Sequence, residues 1–443
     1  MTGLPKSSRL VILADMGNEP DEEQQMVHML VCSNGFHLEG LIAVTGRSLR
    51  TNPRPDLFHN LLDGYEAVLP NLRKHAEGWH DVDYLREITL PGQPAYGMDD
   101  VGDGKSSPGS ERIVAALTSE DPRPLYVVVN AGSNTLAQAL WDLRTRCSAT
   151  DMEAITAKLQ VFENGAQDNA GAWICHTFPN VHWMRSNYQT YAFGGPDRDG
   201  GQCTGLGPYT WEPYAYSPLG QAQWDLEHII CHHGALGMRY PLRVFKRSSF
   251  MLFKEGGGTT PWLSLLHPGL CDPARPWWGG WSGRFIREPV KNYWSRHFNV
   301  RVDEEKHAPF YVYAEAPDRW VDPETRWTWD GLCAPVWRWR RAMFNNQRCR
   351  MDWCIKPYVE ANHPPRAALN GASEPVIAIR DAAPGEAIAL DASGSRDPDG
   401  RPLAFRWSCY PEAGTYAGDV KIPDADAAET AIRIPHDAPG AKI

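Results

Sequence analysis

The sequence predicts an α/β fold, a mostly parallel sheet with flanking helices, followed by a small C-terminal β-sandwich. Three observations carry this. Short apolar runs recur, each closed by a polar turn and followed by a helical pattern, which is the rhythm of a parallel sheet. The composition changes at His363-Pro-Pro365 to short β-rich runs between Gly, Pro and Asp turns. The 443 residues exceed what one ordinary core holds. The expected domains are therefore 1–362 (α/β) and 363–443 (β-sandwich).

Leu10 to Ala14 is a continuous apolar run, as expected for a strand covered on both faces. Asp15 closes it, and after Gly17-Asn18-Glu19-Pro20 a helix is expected from Asp21 through Val31. Leu38 to Val44 reads as the next strand, closed by Thr45-Gly46, and 56–68 as the next helix. Pro91 to Gly109 reads as a long surface loop, with Ser110 capping the helix after it. Leu125 to Val129 is a third strand, followed by Asn130-Ala-Gly-Ser-Asn134 and a helix through Leu143. Leu159 to Phe162 is a fourth, ending in Glu163-Asn-Gly-Ala-Gln-Asp-Asn169. The stretches 194–216 and 250–285 read as long irregular loops, of the kind that usually carry function. Residues 326–358 read as helical and aromatic-rich. In the tail, strands are expected at 376–380, 387–390, 403–407 and 431–434.

The net charge is -10, so the chain is not built to neutralise phosphates, and nucleic acid is excluded as a partner. No run of roughly 18 apolar residues exists, so no membrane span is expected. The start is too short in apolar residues for a signal peptide. The cytoplasm is implied, or export if a leader has been removed. The 10 Cys have no Cys-x-x-Cys or zinc spacing and read as reduced thiols, Cys349 and Cys354 included. The 18 Trp exceed what packing needs, and some could form sugar-stacking faces. Edge strands of the tail could support a homo-oligomer.

Asp15, Glu19, Asp21, Glu22 and Glu23 form a dense carboxylate group at a strand-to-helix turn. Like charges raise one another's pKa unless a cation intervenes, and an all-oxygen set suits calcium or magnesium. The same acids also suit the first turn of a helix, where its dipole favours them. Gln167, Asp168 and Asn169 end a strand and suit sugar hydroxyls, or an Asx turn before a helix. Trp277, Trp278, Trp281 and Arg284 lie in a Gly-rich loop that could hold an aromatic face open; the alternative is packing, with Arg284 paired to an acid. Thr45, Arg47 and Asn134 are further strand-end candidates for substrate binding. His232, His233 and His267 are candidate donors to a leaving group. Nucleophile-elbow, dinucleotide and Walker motifs are absent.

Leu-Ala-Asp15-Met-Gly-Asn-Glu-Pro-Asp21-Glu22 resembles the nucleoside hydrolase signature Asp-x-Asp-Pro-Gly-x-Asp-Asp. It is closer still to the nucleoside-hydrolase-like family associated with cellulose-binding proteins. Asn134-Thr-Leu-Ala-Gln-Ala-Leu140, Gln167-Asp-Asn-Ala-Gly-Ala-Trp-Ile174, Trp278-Gly-Gly-Trp-Ser-Gly-Arg284 and Ala361-Asn-His-Pro-Pro365 match it in order. The tail segment Asp391 to Leu403 resembles the turn of PKD- and cadherin-like modules, its aspartates read as turn formers. The resemblance implies a calcium site of Asp15, Asp21, Glu22 and the Asn130 carbonyl, with Asp15 and Asp21 as the catalytic pair. Thr45, Arg47, Asn134, Gln167, Asp168, Asn169, Glu255, Trp278, Trp281 and Arg284 would then face substrate. Two departures stand out. Glu22 replaces the second aspartate of the pair, and Gly257 stands where an acid is expected; Glu255 or Asp272 could substitute.

The implied activity is metal-assisted hydrolysis of an O- or N-glycosidic bond of a carbohydrate-derived substrate, by a water that an aspartate activates. The alternatives are a carbohydrate-binding protein with a degenerate site and a nucleoside N-ribohydrolase.

Overall fold

The computed structural model describes residues 8–17, 20–194, 224–241, 243–245, 251–253, 257–266, 269–290, 310–323, 326, 328–372 and 377–443. Strand β1 (Ser8–Ala14) lacks a polar face because both of its faces are covered. Leu10, Ile12 and Ala14 enter one core cluster, Val11 and Leu13 another, and all five are fully buried. Burying each such aliphatic side chain contributes about 1.5–3 kcal/mol.

The strands that follow are β2 (Phe36–Ala43), β3 (Thr89–Pro91), β4 (Leu125–Val129), β5 (Leu159–Asn164) and β6 (His182–Ser186). After them come β7 (Arg243–Phe245), β8 (Met251–Phe253), β9 (Phe285–Val290), β10 (Phe310–Glu315), β11 (Asp318–Val321) and β12 (Thr328–Gly331). Eight of these form one sheet in the order β3-β2-β1-β4-β5-β6-β10-β9. All neighbours run parallel except β9 against β10. The register of β1 on β2 slips between Leu10 and Val11, so Leu10 faces Leu38 while Val11 faces Gly40. This bulge is why Leu38 and Leu41, three residues apart, reach the same core cluster.

The α-helices of six or more residues are, among the described residues, α1 (Asp21–Leu30), α2 (Pro55–Leu72), α3 (Val82–Glu87), α4 (Pro108–Thr118), α5 (Asn134–Arg146), α6 (Ala149–Ala157), α7 (Ala170–Thr177) and α8 (Arg340–Asp352). α1, α2 and α8 cover one face of the sheet; α4, α5 and α7 cover the other. No helix among the described residues is long and apolar enough to cross a membrane.

Several local expectations are corrected. The cap of α4 is Ser107, not Ser110: each hydroxyl accepts the other's backbone N–H, and Pro108 fits the first turn because it has no N–H to satisfy. The start of 326–358 is strand rather than helix. Trp320 lies opposite Trp329 in the β11–β12 hairpin, and the cross-strand aromatic pair favours that arrangement. Cys333 is disulfide-bonded rather than a reduced thiol, while the other described cysteines are free.

The tail is a small β unit. β13 (Ala387–Asp391) pairs antiparallel with β14 (Glu429–Arg433). The run 403–407 joins no strand. Its backbone link is one bond, from Trp407 N–H to Ala425 O at 2.7 Å, too little for a ladder. Asp391 and Asp397 accept backbone N–H groups from Ser393 and Asp399, as turn formers do. At the expected boundary, His363 is packed rather than free. It donates its backbone N–H to Asp399 Oδ2 at 2.8 Å, and its ring lies 2.7 Å from Asp399 Oδ1 and 3.0 Å from the ring of His75.

Candidate active site

Ala14 pairs with Ala43, Leu13 with Val129, and Val129 with Glu163. The carboxyl ends of β1, β2, β4 and β5 therefore lie side by side, and Asp15, Val44, Asn130 and Asn164 follow in one row. The strand order turns at β1, with β2 on one side and β4 on the other. Such a switch point opens a crevice in which α/β sheets bind ligands. Asp15 (3 % exposed), Asn130 (0 %) and Asn164 (2 %) are buried at its base.

Two glycine positions show what converges there. A methyl placed on Gly46 would lie 2.5 Å from Asp15 Oδ2 and 2.7 Å from Gln167 Oε1. Asp15 and Gln167 thus share the space that glycine leaves. Gln167 ties three loops together: its amide donates to Asn130 O at 2.8 Å, its Oε1 accepts the Arg47 N–H at 3.3 Å, and its carbonyl accepts the Tyr96 hydroxyl at 2.6 Å. A methyl on Gly257 would lie 2.4 Å from Asp21 Oδ2 and 3.6 Å from Asn164 Nδ2. Asn164 donates to Gly257 O at 2.8 Å, and Asn130 donates to Gly258 O at 3.4 Å. The glycine pair therefore roofs the row, and two asparagine amides hold it down.

Each amide nitrogen makes one bond to that roof. Asn130 Oδ1 and Asn164 Oδ1 are buried and have no hydrogen-bond donor among the described residues. An unsatisfied buried acceptor costs about 1–3 kcal/mol. A ligand hydroxyl or a cation would offset that. Glu22 is buried beside them and shares a hydrogen bond with Asp21; burial first, then the charges of Asp21 and Asp15, hold its carboxyl well above the usual range.

The chemistry of this set fits a hard cation. Carboxylates of Asp15, Asp21 and Glu22, the Asn130 carbonyl and the two orphaned amide oxygens are all oxygen donors. No group of three or more His, Cys, Asp or Glu side chains among the described residues is arranged to hold a metal. Amide and main-chain oxygens would therefore have to complete any shell. Gly257, where the resemblance leads one to expect an acid, has its side-chain space filled by Asp21.

Other candidates turn to the protein itself. Asp168 is fully buried and accepts from Ser133 Oγ (2.9 Å), Asn134 N (3.1 Å) and Ala170 N (2.9 Å), so it caps α5 and α7. Burial raises its pKa, and those donors oppose the rise. Asn134 donates to Ala95 O at 2.7 Å, Thr45 to Ala95 O at 3.1 Å, and Asn169 accepts from Met98 N at 2.9 Å. These three position the loop that carries Tyr96. Trp281 is buried in the main core cluster, and Trp278 is half-buried under the Arg275 guanidinium at 4.6 Å. Arg284 pairs with Asp318 at 2.7 Å and donates to Pro317 O. Asp272 pairs with Arg275 at 2.8 Å. The His233 ring lies 3.3 Å from Asp352 on α8, and His232 is exposed. Glu255 and His267 lie outside the described residues.

Sequence reasoning missed Asn164. The apolar run of β5 stops at Phe162, which hid the fact that Glu163 and Asn164 continue the strand. It also missed the roof of Gly257 and Gly258, a contact made across about a hundred residues of chain.

Two family models match the chain. Residues 9–285 match one described as cellulose-binding Sde182, nucleoside hydrolase-like domain. Residues 387–443 match one described as cellulose-binding protein Sde0182, C-terminal domain. The chain is 34 % identical to the solved structure of a nucleoside hydrolase-related hypothetical protein from Saccharophagus degradans, described as associated with carbohydrate metabolism. The TM-score is 0.82, over 98 % of this chain and 93 % of that one. No curated protein matches.

Proposed function

Because this chain belongs to the nucleoside hydrolase-like family of cellulose-binding Sde182 proteins, we propose that its strand-end crevice hydrolyses a glycosidic bond of a carbohydrate-derived substrate. The observation that carries the reading is the convergence of buried Asp15 with Asp21 and two unpaired amide oxygens at the switch point of the sheet.

Sugar hydroxyls donate to Asn130 Oδ1 and Asn164 Oδ1, which fixes the ring over the row. Asp15 accepts a proton from the attacking water, whose oxygen bonds to the anomeric carbon. The bond to the leaving group breaks with its electron pair, and the aglycone takes up a proton from solvent. The carboxylates stabilise the positive charge that develops on the ring. Bound calcium, held by Asp15, Asp21, Glu22 and Asn130, would lower the pKa of the water.

A second reading has one observation in its favour. Gly257 replaces an expected acid, so a protein that binds carbohydrate without cleaving it is the alternative. Turnover of aryl glycosides and nucleosides, with and without added calcium, tests the two on wild type and Asp15→Asn. Turnover that the variant lowers at least 100-fold supports hydrolysis. Saccharide binding with no turnover by a folded wild type refutes it in favour of the second reading.

A further inference from the structure

Three side chains join the tail to the α/β domain in one hydrogen-bonded chain. His75 follows α2, His363 stands at the boundary, and Asp399 lies in the 391–403 turn of the tail. His75 Nε2 lies 2.9 Å from Lys356 O, just past α8. His75 Nδ1 lies 3.0 Å from His363 Nε2, and His363 Nδ1 lies 2.7 Å from Asp399 Oδ1. The His363 backbone N–H donates to the other carboxylate oxygen at 2.8 Å. His75 is 8 % exposed and His363 4 %, and both rings stack with Trp353 and Tyr358.

The protons of this chain can be counted. Lys356 O only accepts, so His75 Nε2 carries a hydrogen. The bond between the rings needs a second. Ionised Asp399 only accepts, so His363 Nδ1 carries a third. Two neutral imidazoles hold one proton each, so the pair carries one extra proton and one positive charge. Asp399 cancels that charge. Burial raises the Asp399 pKa, but the bonds from His363 hold it below its ordinary value, which keeps the carboxylate ionised. Burial also holds the His75 pKa below its ordinary value, against the Lys356 carbonyl and with the charges of His363 and Lys74. The extra charge therefore sits on His363, beside the carboxylate.

Other charged groups surround the chain but are engaged elsewhere. Lys74 donates to Asn71 Oδ1 at 3.0 Å, and Lys356 Nζ pairs with Asp352 at 2.9 Å. Asp352 also faces the ring of His233. The Arg350 guanidinium lies over the Trp353 ring at 5.1 Å, and Arg401 donates to Asn362 Oδ1. The Cys349 thiol, which feels the Asp399 charge, lies 2.8 Å from Asn362 O, and burial pushes its pKa up to about 11. Among the described residues, none of these side chains bonds a ring nitrogen of His75 or His363.

We infer that the extra proton fastens the tail to the α/β domain as a pH-sensitive latch. Its loss leaves one of the three bonds unmade and the Asp399 charge uncompensated in a buried cluster, so docking weakens as pH rises. The contact at the other end of the tail involves no histidine: the Tyr410 hydroxyl donates to Asp318 at 2.5 Å, and Glu412 accepts the Arg319 N–H at 2.9 Å. The inference does not rest on the proposed hydrolysis.

Nitrogen NMR of the full chain with labelled histidine reads the charge. At about pH 6 His363 should show two protonated nitrogens, and His75 a protonated Nε2 with a bare Nδ1. His75→Gln and His363→Gln assign the signals. Hydrogen exchange reads the latch. Corrected for intrinsic rates, protection of the His363, Arg366 and Arg396 amides should fall about fivefold or more from about pH 6 to about pH 9. The Arg319 amide, at the other contact, should stay level. Asp399→Asn removes the need for the extra proton: its amide nitrogen donates to His363 Nδ1, and its amide oxygen still accepts the backbone N–H. Protection in this variant should be flat over the same range. Two neutral rings in the wild type at about pH 6 overturn the inference, whatever the variants do. So does protection that does not fall, a fall shared equally by Arg319, or a fall that persists in Asp399→Asn.

Discussion

Replacing Glu163 by glutamine should stabilise the protein, and by an amount that depends on pH. The carboxyl is fully buried at the end of β5, with the Ser133 hydroxyl at 3.4 Å and the Trp183 indole N–H at 3.2 Å. Burial pushes its pKa from an ordinary 4.5 up to about 8, although the positive charge of Arg185 opposes the rise. The folded state therefore keeps a proton that the unfolded chain releases between pH 4.5 and 8. The stability from that proton is complete below pH 4.5 and is lost as pH rises through 8. Each unit corresponds to about 1.4 kcal/mol. Glutamine cannot ionise, so the variant should match wild type near pH 4.5, gain about 3 kcal/mol by pH 7 and about 4 kcal/mol at pH 8, and level off at about 5 kcal/mol above about pH 9. Its geometry suits the site: the amide oxygen accepts from Trp183, and the amide NH2 donates to Ser133 Oγ, which itself donates to Asp168. Urea midpoints of both proteins, followed by tryptophan fluorescence from pH 4.5 to 9, provide the measurement. A difference that stays flat with pH, or a variant less stable than wild type at pH 8, would refute the account of a neutral buried Glu163.

Three further outcomes are expected. Gly46→Ala would drive a methyl to 2.5 Å from Asp15 Oδ2, where ordinary contact begins at 3.4 Å, so the carboxylate must move by nearly 1 Å. Displacements of that size cost about 100-fold in rate, and kinetics with unchanged circular dichroism will check it; an unaltered kcat contradicts the role given to Asp15. Asp399→Asn should lower the thermal midpoint at pH 7, and by progressively less as pH falls below 3.8. Burial raises the Asp399 pKa, yet the hydrogen bonds from the His363 backbone and ring outweigh it and hold the pKa below 3.8, so the contribution is present above 3.8 and lost as pH falls through the folded value. Melting curves from pH 7 downward decide it; a difference that does not shrink in acid contradicts the role given to the carboxylate. Leu13→Ala, fully buried near the carboxyl end of β1, should cost about 2–5 kcal/mol in denaturant unfolding; a loss under 1 kcal/mol would show that the strand is not packed on that face.

Much of the sheet was legible because its strands are apolar runs with sharp polar ends. The expected strand at 125–129 coincides with β4, and Asp15 closes β1 where the apolar run stops. What the pattern hid was polar and distant. Glu163 and Asn164 are buried but not apolar, so β5 reads two residues short. Glycines around Trp278 and Trp281 signalled an open loop, but not that Trp281 would be covered by the main core. Nor does a run such as Gln167-Asp-Asn169 say which of its groups serve neighbouring helices and which point at a cavity. That is decided by donors such as Ser133 and Met98, elsewhere in the chain. The bulge in β2 is equally silent, since a spacing of three suggests a helix until the partner strand is known.

The glycine at 257 also limits how this site can be redesigned. Asp21 occupies the volume that any side chain there would need, and Asn164 donates to the Gly257 carbonyl. A single substitution to an acid would collide with Asp21, so adding a carboxylate at this position requires at least two concerted changes.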